Sequence, residues 1–410
     1  MAKPLPRLRT DLEFMPSPLQ EQPGVFIRDP YQYTPASVIV PPLLAQGLSY
    51  FDGQQTDLDL QAHLVRLTGQ LVPSDIVNRM VEALSRGGFL DTEEFASMKE
   101  TKHRAFREAA ERAAVHAGSA YPAEAPALRE KLEEYSRDGA SPQPAAAGGE
   151  LIGVAAPHVS PEGGFRSYAA AYRRLGPEHR DKTFVILGTS HYGAPEKFGL
   201  TRKPFVTPLG TVEVDQAVVE KLRQRGGDSV VMEDYCHSIE HSIEFQCVFL
   251  QHRLGSGIRI APVLCGPLVA SLLTGRKPET NDSARRFFDA LAETAAEQGR
   301  RLFWVLGIDL AHIGRRYGDA FVARAGEGQL AAVRERDQAR LERVCGGDSE
   351  GFFELVKVGQ DELRWCGYSP LYAFLKAAPG ARGVVASYEQ WNIDDASVVS
   401  FAGMEFRKDA

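Results

Sequence analysis

Apolar positions along this chain follow two rhythms, and each predicts a different element. From residue 151 onward, unbroken apolar runs alternate with longer stretches whose apolar residues recur every three or four positions. The unbroken runs predict strands covered on both faces; the wider spacing predicts amphipathic helices. Strands are expected at residues 151–156, 183–187, 258–264, 302–308, 383–388 and 397–402, and helices at 214–225, 242–253, 282–298, 321–344 and 370–377. Such alternation predicts an α/β fold with a central, mostly parallel sheet flanked by helices. No repeat of solenoid length is present. The doublet His237-Ser238-Ile239-Glu240 and His241-Ser242-Ile243-Glu244 is a local duplication.

Upstream, the elements are shorter. Residues 1–22, Pro-rich at their start, are expected to be extended. Short strands at 25–27 and 37–40 and helices at 42–46 and 58–68 follow, with Asp52-Gly53 as a turn and Thr56 or Asp57 as a helix cap. Pro73-Ser74-Asp75 opens a strongly amphipathic helix, on which Ile76, Val77, Met80, Val81 and Leu84 share a face. These elements make a small α+β domain over residues 23–95; a charged, Ala-rich helix at 96–114 links it to a second domain at 115–410. Within the second domain, 139–150 reads as a loop and Pro161-Glu162-Gly163-Gly164 as a turn. Short strands, then helices, then Gly88-Phe89-Leu90-Asp91 resemble a winged-helix module, in particular the PqqD-type peptide-recognition domain that accompanies radical-SAM enzymes. A DNA-reading helix would be basic, whereas the stretch from Ile76 to Ser85 offers only Arg79 as a cation and also carries Glu82. The resemblance therefore implies docking of a peptide or protein such as a radical-SAM enzyme.

Composition narrows the class. The chain has 410 residues, enough for about two domains. It is 43% apolar and 25% charged, as globular proteins are. A net charge of −7 with no basic stripe argues against a nucleic-acid partner. No apolar run approaches the ~18 residues that a membrane span needs, and the amino terminus lacks an apolar signal core. Five irregularly spaced cysteines make no disulfide framework, which together predicts a reducing, cytoplasmic setting.

Chemistry-bearing residues stand where strands should end. Ala156-Pro157-His158 and Gly188-Thr189-Ser190-His191 each place an imidazole after an apolar run. In α/β folds, ligands gather at strand carboxyl ends. Cys366, in Trp365-Cys366-Gly367, is placed near a helix amino end, with Ser369 as cap and Pro370 as first helical residue, where the helix dipole favours thiolate. Two imidazoles and a thiolate leave a coordination position open. His241 and Glu244, three residues apart at an expected helix start, suit a base oriented by a carboxylate, and His237 lies one turn earlier. Asp309 ends an apolar strand and His312 follows it; a buried acid there requires a partner, and a ligand histidine or a substrate would supply one. Ser190 and His312 are thus candidates to line the centre. No nucleotide- or nicotinamide-binding pattern is present.

Together these motifs resemble the Memo family, protein B of the AmmeMemoRadiSam gene set. His116-Ala117-Gly118-Ser119-Ala120-Tyr121-Pro122 is similar to its AGSWYP start, Ala155-Ala156-Pro157-His158 to its APH motif, and Gly188-Thr189-Ser190-His191 to its G-[TP]-S-H motif. Thr207-Pro208-Leu209-Gly210, Glu240-His241-Ser242-Ile243-Glu244, Asp309-Leu310-Ala311-His312 and Cys366-Gly367 with Pro370 continue the series. The resemblance implies the fold of LigB-type class III extradiol dioxygenases. It implies a metal held by His158, His191 and Cys366, with His241 as base and Asp309 as the acid nearby. Fe(II) is the leading expectation for the ion, with copper or zinc as alternatives. The chain departs at Gly307-Ile308, Tyr192 and Val159-Ser160-Pro161-Glu162, so no particular substrate carries over. Cysteine where the dioxygenases hold glutamate gives a softer donor set and sets ring cleavage apart. Three functions follow as expectations: a metal-dependent redox enzyme on a small molecule, a peptide- or protein-binding module, and a structural zinc protein.

Overall fold

A computed structural model describes residues 2–139 and 148–409. The chain divides into two units, Met1–Glu108 and Ala109–Ala410. In the first, β1 (Glu13–Pro16), β2 (Val25–Arg28) and β3 (Ser37–Val40) form an antiparallel sheet in that order. β1 falls in the segment expected to be merely extended: its alternation is too short to signal a strand until Phe14 and Met15 pair with Ile27 and Phe26. Helices Asp57–Thr68, Ser74–Arg86 and Glu93–Glu108 follow. Thr56 caps the first through a reciprocal box with Asp59. The second buries Val77, Met80 and Leu84 among Ile27, Val40, Leu60 and Leu64. The third ends at Glu108, six residues before the expected boundary at 114.

The second unit carries an 11-stranded mixed sheet flanked by helices. Its strands are β4 (Glu150–Ala156), β5 (Thr183–Thr189), β6 (Phe198–Leu200), β7 (Phe205–Thr207), β8 (Gly210–Val214), β9 (Val230–Met232), β10 (Arg259–Cys265), β11 (Leu302–Gly307), β12 (His312–Gly314), β13 (Arg382–Asp394) and β14 (Ser397–Lys408). Its centre is parallel, in the order β4-β11-β5-β10. β14 runs antiparallel to β4, β12 and β13, and β6 antiparallel to β10. Every residue of β5 and β11 is buried, which is why their apolar runs are unbroken. β12 follows Gly307 closely and is the edge element that carries His312.

Three local readings change. Pro161–Tyr172 is a helix, not a turn. Pro161 occupies its first turn, where proline is accommodated, and a Cβ at Gly163 would lie 2.7 Å from the Trp391 ring, so close packing explains that glycine. The helix expected over 321–344 starts at Leu330, because Gly326 and Gly328 adopt left-handed φ values of 75° and 53° ahead of it. β13 runs on to Asp394, since Glu389, Gln390 and Asn392 belong to a half-exposed hairpin strand whose apolar run is interrupted. Most of the loop expected at 139–150 lies outside the described residues. Among the described residues, no helix is long and apolar enough to cross a membrane.

Candidate metal centre

β11 lies between β4 and β5, so the carboxyl ends of three adjacent parallel strands meet in one place. His158 leaves β4, His191 leaves β5, and Asp309 leaves β11 between them. Neighbouring strands are spaced ~4.8 Å apart, so side chains from the two outer strands can meet above the middle one. The His158 and His191 ring centroids are 5.0 Å apart. His241 arrives from the loop before helix Glu244–Leu254, 5.2 Å from the His158 ring and stacked on His191 at 5.1 Å. One ring nitrogen from each of the three lies within 4.8 Å of the others, a spacing that could hold a metal ion.

Cys366 enters from the turn before helix Tyr368–Ala377. Its thiol reaches the His158 Nε2 at 3.3 Å. The turn is held from several sides. Thr189 Oγ1 donates to the Cys366 carbonyl at 3.1 Å, and Gly367 N donates to the Asp309 carbonyl at 3.0 Å. A Cβ at Gly367 would lie 2.6 Å from that carbonyl oxygen, so only glycine lets the turn approach β11 this closely. Trp365 anchors the other side: its Nε1 donates to Asp337 at 2.7 Å, and its N to Asp361 at 2.7 Å. The expected cap is corrected: Gly367 caps the helix, and Ser369 Oγ donates instead to the Gly266 carbonyl at 2.7 Å. The expected thiolate is corrected too, because burial pushes the Cys366 thiol up despite the hydrogen bond to His191.

Hydrogen bonds decide which nitrogen each imidazole turns inward. His158 Nδ1 donates to the Gly307 carbonyl at 3.0 Å, so Nε2 carries the lone pair and faces the Cys366 thiol. Burial, then the neighbouring His191 and His241, hold this ring well below the ordinary histidine range, so it is neutral and a competent donor. His191 Nδ1 donates to both oxygens of Glu240, at 3.0 and 3.1 Å. Burial opposes a charge on His191, but the Glu240 carboxylate and then Cys366 raise its pKa well above the usual value. His241 Nδ1 meets the same carboxylate at 3.1 Å. Glu240 is buried; desolvation opposes its charge, yet His191 and His241 hold it well below the carboxylate range. Asp309 accepts from His158 N at 2.9 Å, and its other oxygen lies 3.4 Å from His158 Nε2. Burial pushes its carboxyl up to about 7 against those bonds.

The remaining candidates go elsewhere. Glu244 does not orient His241: the helix begins only at Glu244, so the two do not share a helical face. The Glu244 carboxylate instead takes the Arg112 guanidinium, the Tyr121 hydroxyl and, at 3.1 Å, the His116 N–H. Arg112, fully buried, also donates to the His237 carbonyl at 2.8 Å and the Glu240 carbonyl at 2.7 Å, clamping the loop that presents His241. His237 points away: its Nε2 donates to the Gly199 carbonyl at 3.0 Å beside Phe205, and burial lowers its pKa to about 4. His312 Nδ1 donates to the Leu310 and Arg364 carbonyls at 2.9 and 3.0 Å, and burial lowers it likewise to about 4. Ser190 is buried next to His191 in the chain, and its hydroxyl lies toward Gly193 and Cys236. Glu240, Arg112, Tyr121 and His116 were missed as site residues. Glu240 stood next to His241 in the motif, whereas Arg112 carried no local signal.

The fold and this centre define the class: an α/β protein with a histidine cluster at the carboxyl ends of adjacent parallel strands. The chain belongs to the Memo-like protein family, whose model matches residues 112–405. A MEMO1 family protein of Aquifex aeolicus is 25% identical over 384 residues, covering 93% of this chain and 95% of the relative. One from Methanopyrus kandleri is 28% identical over 311 residues, 73% of this chain and 99% of its own length. One from Pyrococcus abyssi is 30% identical over 248 residues, 59% and 79% respectively. The Aquifex relative extends across the first unit as well as the second.

Proposed function

We propose that this protein is a metal-dependent oxidoreductase, dioxygenase-like in architecture, acting on a small organic substrate. The observation that carries the reading is the convergence of three imidazoles within 4.8 Å, with the Cys366 thiol 3.3 Å from one of them. The donor set fits an ion: His158 is neutral, its Nδ1 is committed to a carbonyl, and a carboxylate backs His191, as metal-bound histidines require. His158, His191 and Cys366 hold the ion, with Fe(II) the best match and copper or zinc also suited to such donors. Bound there, iron or copper would supply one-electron chemistry, which zinc would not. His241, beside Glu240, would move a proton of the substrate, and Asp309 would hold His158 and the incoming substrate. His312 and Ser190 line the approach. The test is metal analysis of protein purified without chelator, for the wild type and His158→Ala. Bound metal in the wild type and its loss in the variant are expected; equal metal in both, or none loadable in either, overturns the reading.

A second reading rests on the first unit. A groove of about 300 Å³ opens between β3 and helix Ser74–Arg86, walled by Val38, Val40, Leu44, Ile76 and Met80. Among the described residues β3 pairs only with β2, so its other edge offers free backbone groups beside apolar pockets. That combination suits addition of an extended peptide strand. In this reading the PqqD-like unit docks a peptide or a radical-SAM enzyme for the second unit to act upon. Ala83 is exposed on the groove, so Ala83→Arg blocks it without entering the core. Capture of a radical-SAM enzyme by the full chain should be lost in Ala83→Arg; equal capture by both removes the groove from the account.

A further inference from the structure

Glu240 is used more completely than any other carboxylate of the centre. Three N–H groups donate to its two oxygens, His191 N at 2.9 Å, His191 Nδ1 at 3.0 Å and His241 N at 3.0 Å, and His241 Nδ1 lies 3.1 Å from one of them. Oε1 faces His191 Nδ1 and both His241 N and Nδ1, and Oε2 faces His191 N, so neither oxygen is left without a partner. Its own carbonyl is held by Arg112 at 2.7 Å and its N–H by the Cys236 carbonyl at 2.9 Å, so the backbone cannot drift. The two rings it serves are stacked 10° from parallel. Each ring presents Nδ1 to the same acid and therefore the same remaining nitrogen, Nε2, to the cluster.

We propose that Glu240 is the positioning residue of the centre, a single carboxylate that fixes the tautomer and orientation of both His191 and His241 and so couples metal binding to the proton-carrying imidazole. This rests on the metal-centre reading above. Glutamine cannot reproduce it: with its oxygen at Oε1, where both Nδ1 atoms lie, its NH2 would confront the His191 backbone N–H that Oε2 now accepts at 2.9 Å. The His191 backbone must then shift, and the shared geometry is lost. Asn281 provides the control, since it caps helix Asp282–Gln298 through the N–H groups of Ser283 and Ala284 and takes no part in the cluster.

The experiment measures zinc affinity of the metal-stripped full chain against a chromogenic chelator, and the visible spectrum of the cobalt(II) form. Glu240→Gln should bind zinc about 10- to 100-fold more weakly, with an altered cobalt spectrum. Glu240→Asp keeps the charge but, one methylene shorter, reaches one ring; it should recover part of the affinity. Asn281→Ala should keep affinity and spectrum while lowering the unfolding midpoint. Wild-type zinc affinity and spectrum in Glu240→Gln overturn the inference alone. Should Glu240→Gln fail to fold, Glu240→Asp decides: an unchanged cobalt spectrum overturns the role. Absence of zinc or cobalt binding by the wild type overturns the metal centre itself, which is a separate result.

Discussion

Two carboxylates three residues from a histidine or beside it look alike in a motif, yet burial separates their work. Glu240 and Glu244 are both buried, but one faces two imidazoles and the other faces Arg112 and Tyr121. Arg112 and Glu244 are both wholly inaccessible. Removing one member of such a pair strands the other charge, at a cost of about 3–5 kcal/mol. Arg112→Ala should therefore lower the guanidinium unfolding midpoint by that equivalent, and a loss under about 1 kcal/mol would show the pair to be dispensable. Asp337 is a second buried acid that positions its neighbours, accepting from Trp365 Nε1, Tyr388 OH and Ser400 Oγ. Asp337→Ala leaves three donors unpaired near the Cys366 turn. Each unpaired donor costs about 1–3 kcal/mol, so a clear loss of thermal stability is expected in a melting curve.

At the scale of elements, close approach explains Gly307 at the end of β11. A Cβ on Gly307 would stand 2.2 Å from the Ser242 carbonyl oxygen, so the end of β11 has room only for a hydrogen. Gly307→Ala must push away the loop that carries His241. Overpacking of this kind costs about 1–3 kcal/mol, and here it should also weaken metal binding, because the displaced loop holds Glu240. A variant as stable and as metal-competent as the wild type would contradict that. Helix Asp282–Gln298 is a simpler case, with Asn281 accepting from the N–H groups of Ser283 and Ala284. Asn281→Ala should cost about 1 kcal/mol in chemical denaturation and leave metal affinity untouched. The helix boundaries themselves were legible where caps and periodicity agree, as at 282–298. They were not where glycine conformation or proline context intervenes, as before Leu330 and at Pro161.

For the whole molecule, metal and folding are linked by mass action. An ion that binds only the folded second unit stabilises it by about 2.7 kcal/mol at a concentration one hundred times its dissociation constant. Zinc or iron(II) should therefore raise the melting temperature of the wild type, chelator should reverse the shift, and His158→Ala should show neither effect. An equal shift in that variant would locate the binding elsewhere. The two units also differ in what the sequence exposes. The α/β unit was legible because its central strands are buried on both faces. The first unit's β1 was not, because four residues with one half-buried face carry almost no periodic signal.

Candidate site residues came from the chain alone. Apolar runs that end in His158, His191 and Asp309 are local features, and strand ends in an α/β sheet must converge once the strands are parallel neighbours. Strand order and the direction of loops came only with the tertiary structure. They place β11 between β4 and β5, give Glu240 rather than Glu244 to His241, turn His237 toward Gly199, and bring Arg112 across 132 positions of chain to Glu244. The reason is that a hydrogen bond depends on where a side chain points. In a loop that direction is set by distant partners such as Arg112, which the neighbouring residues do not encode.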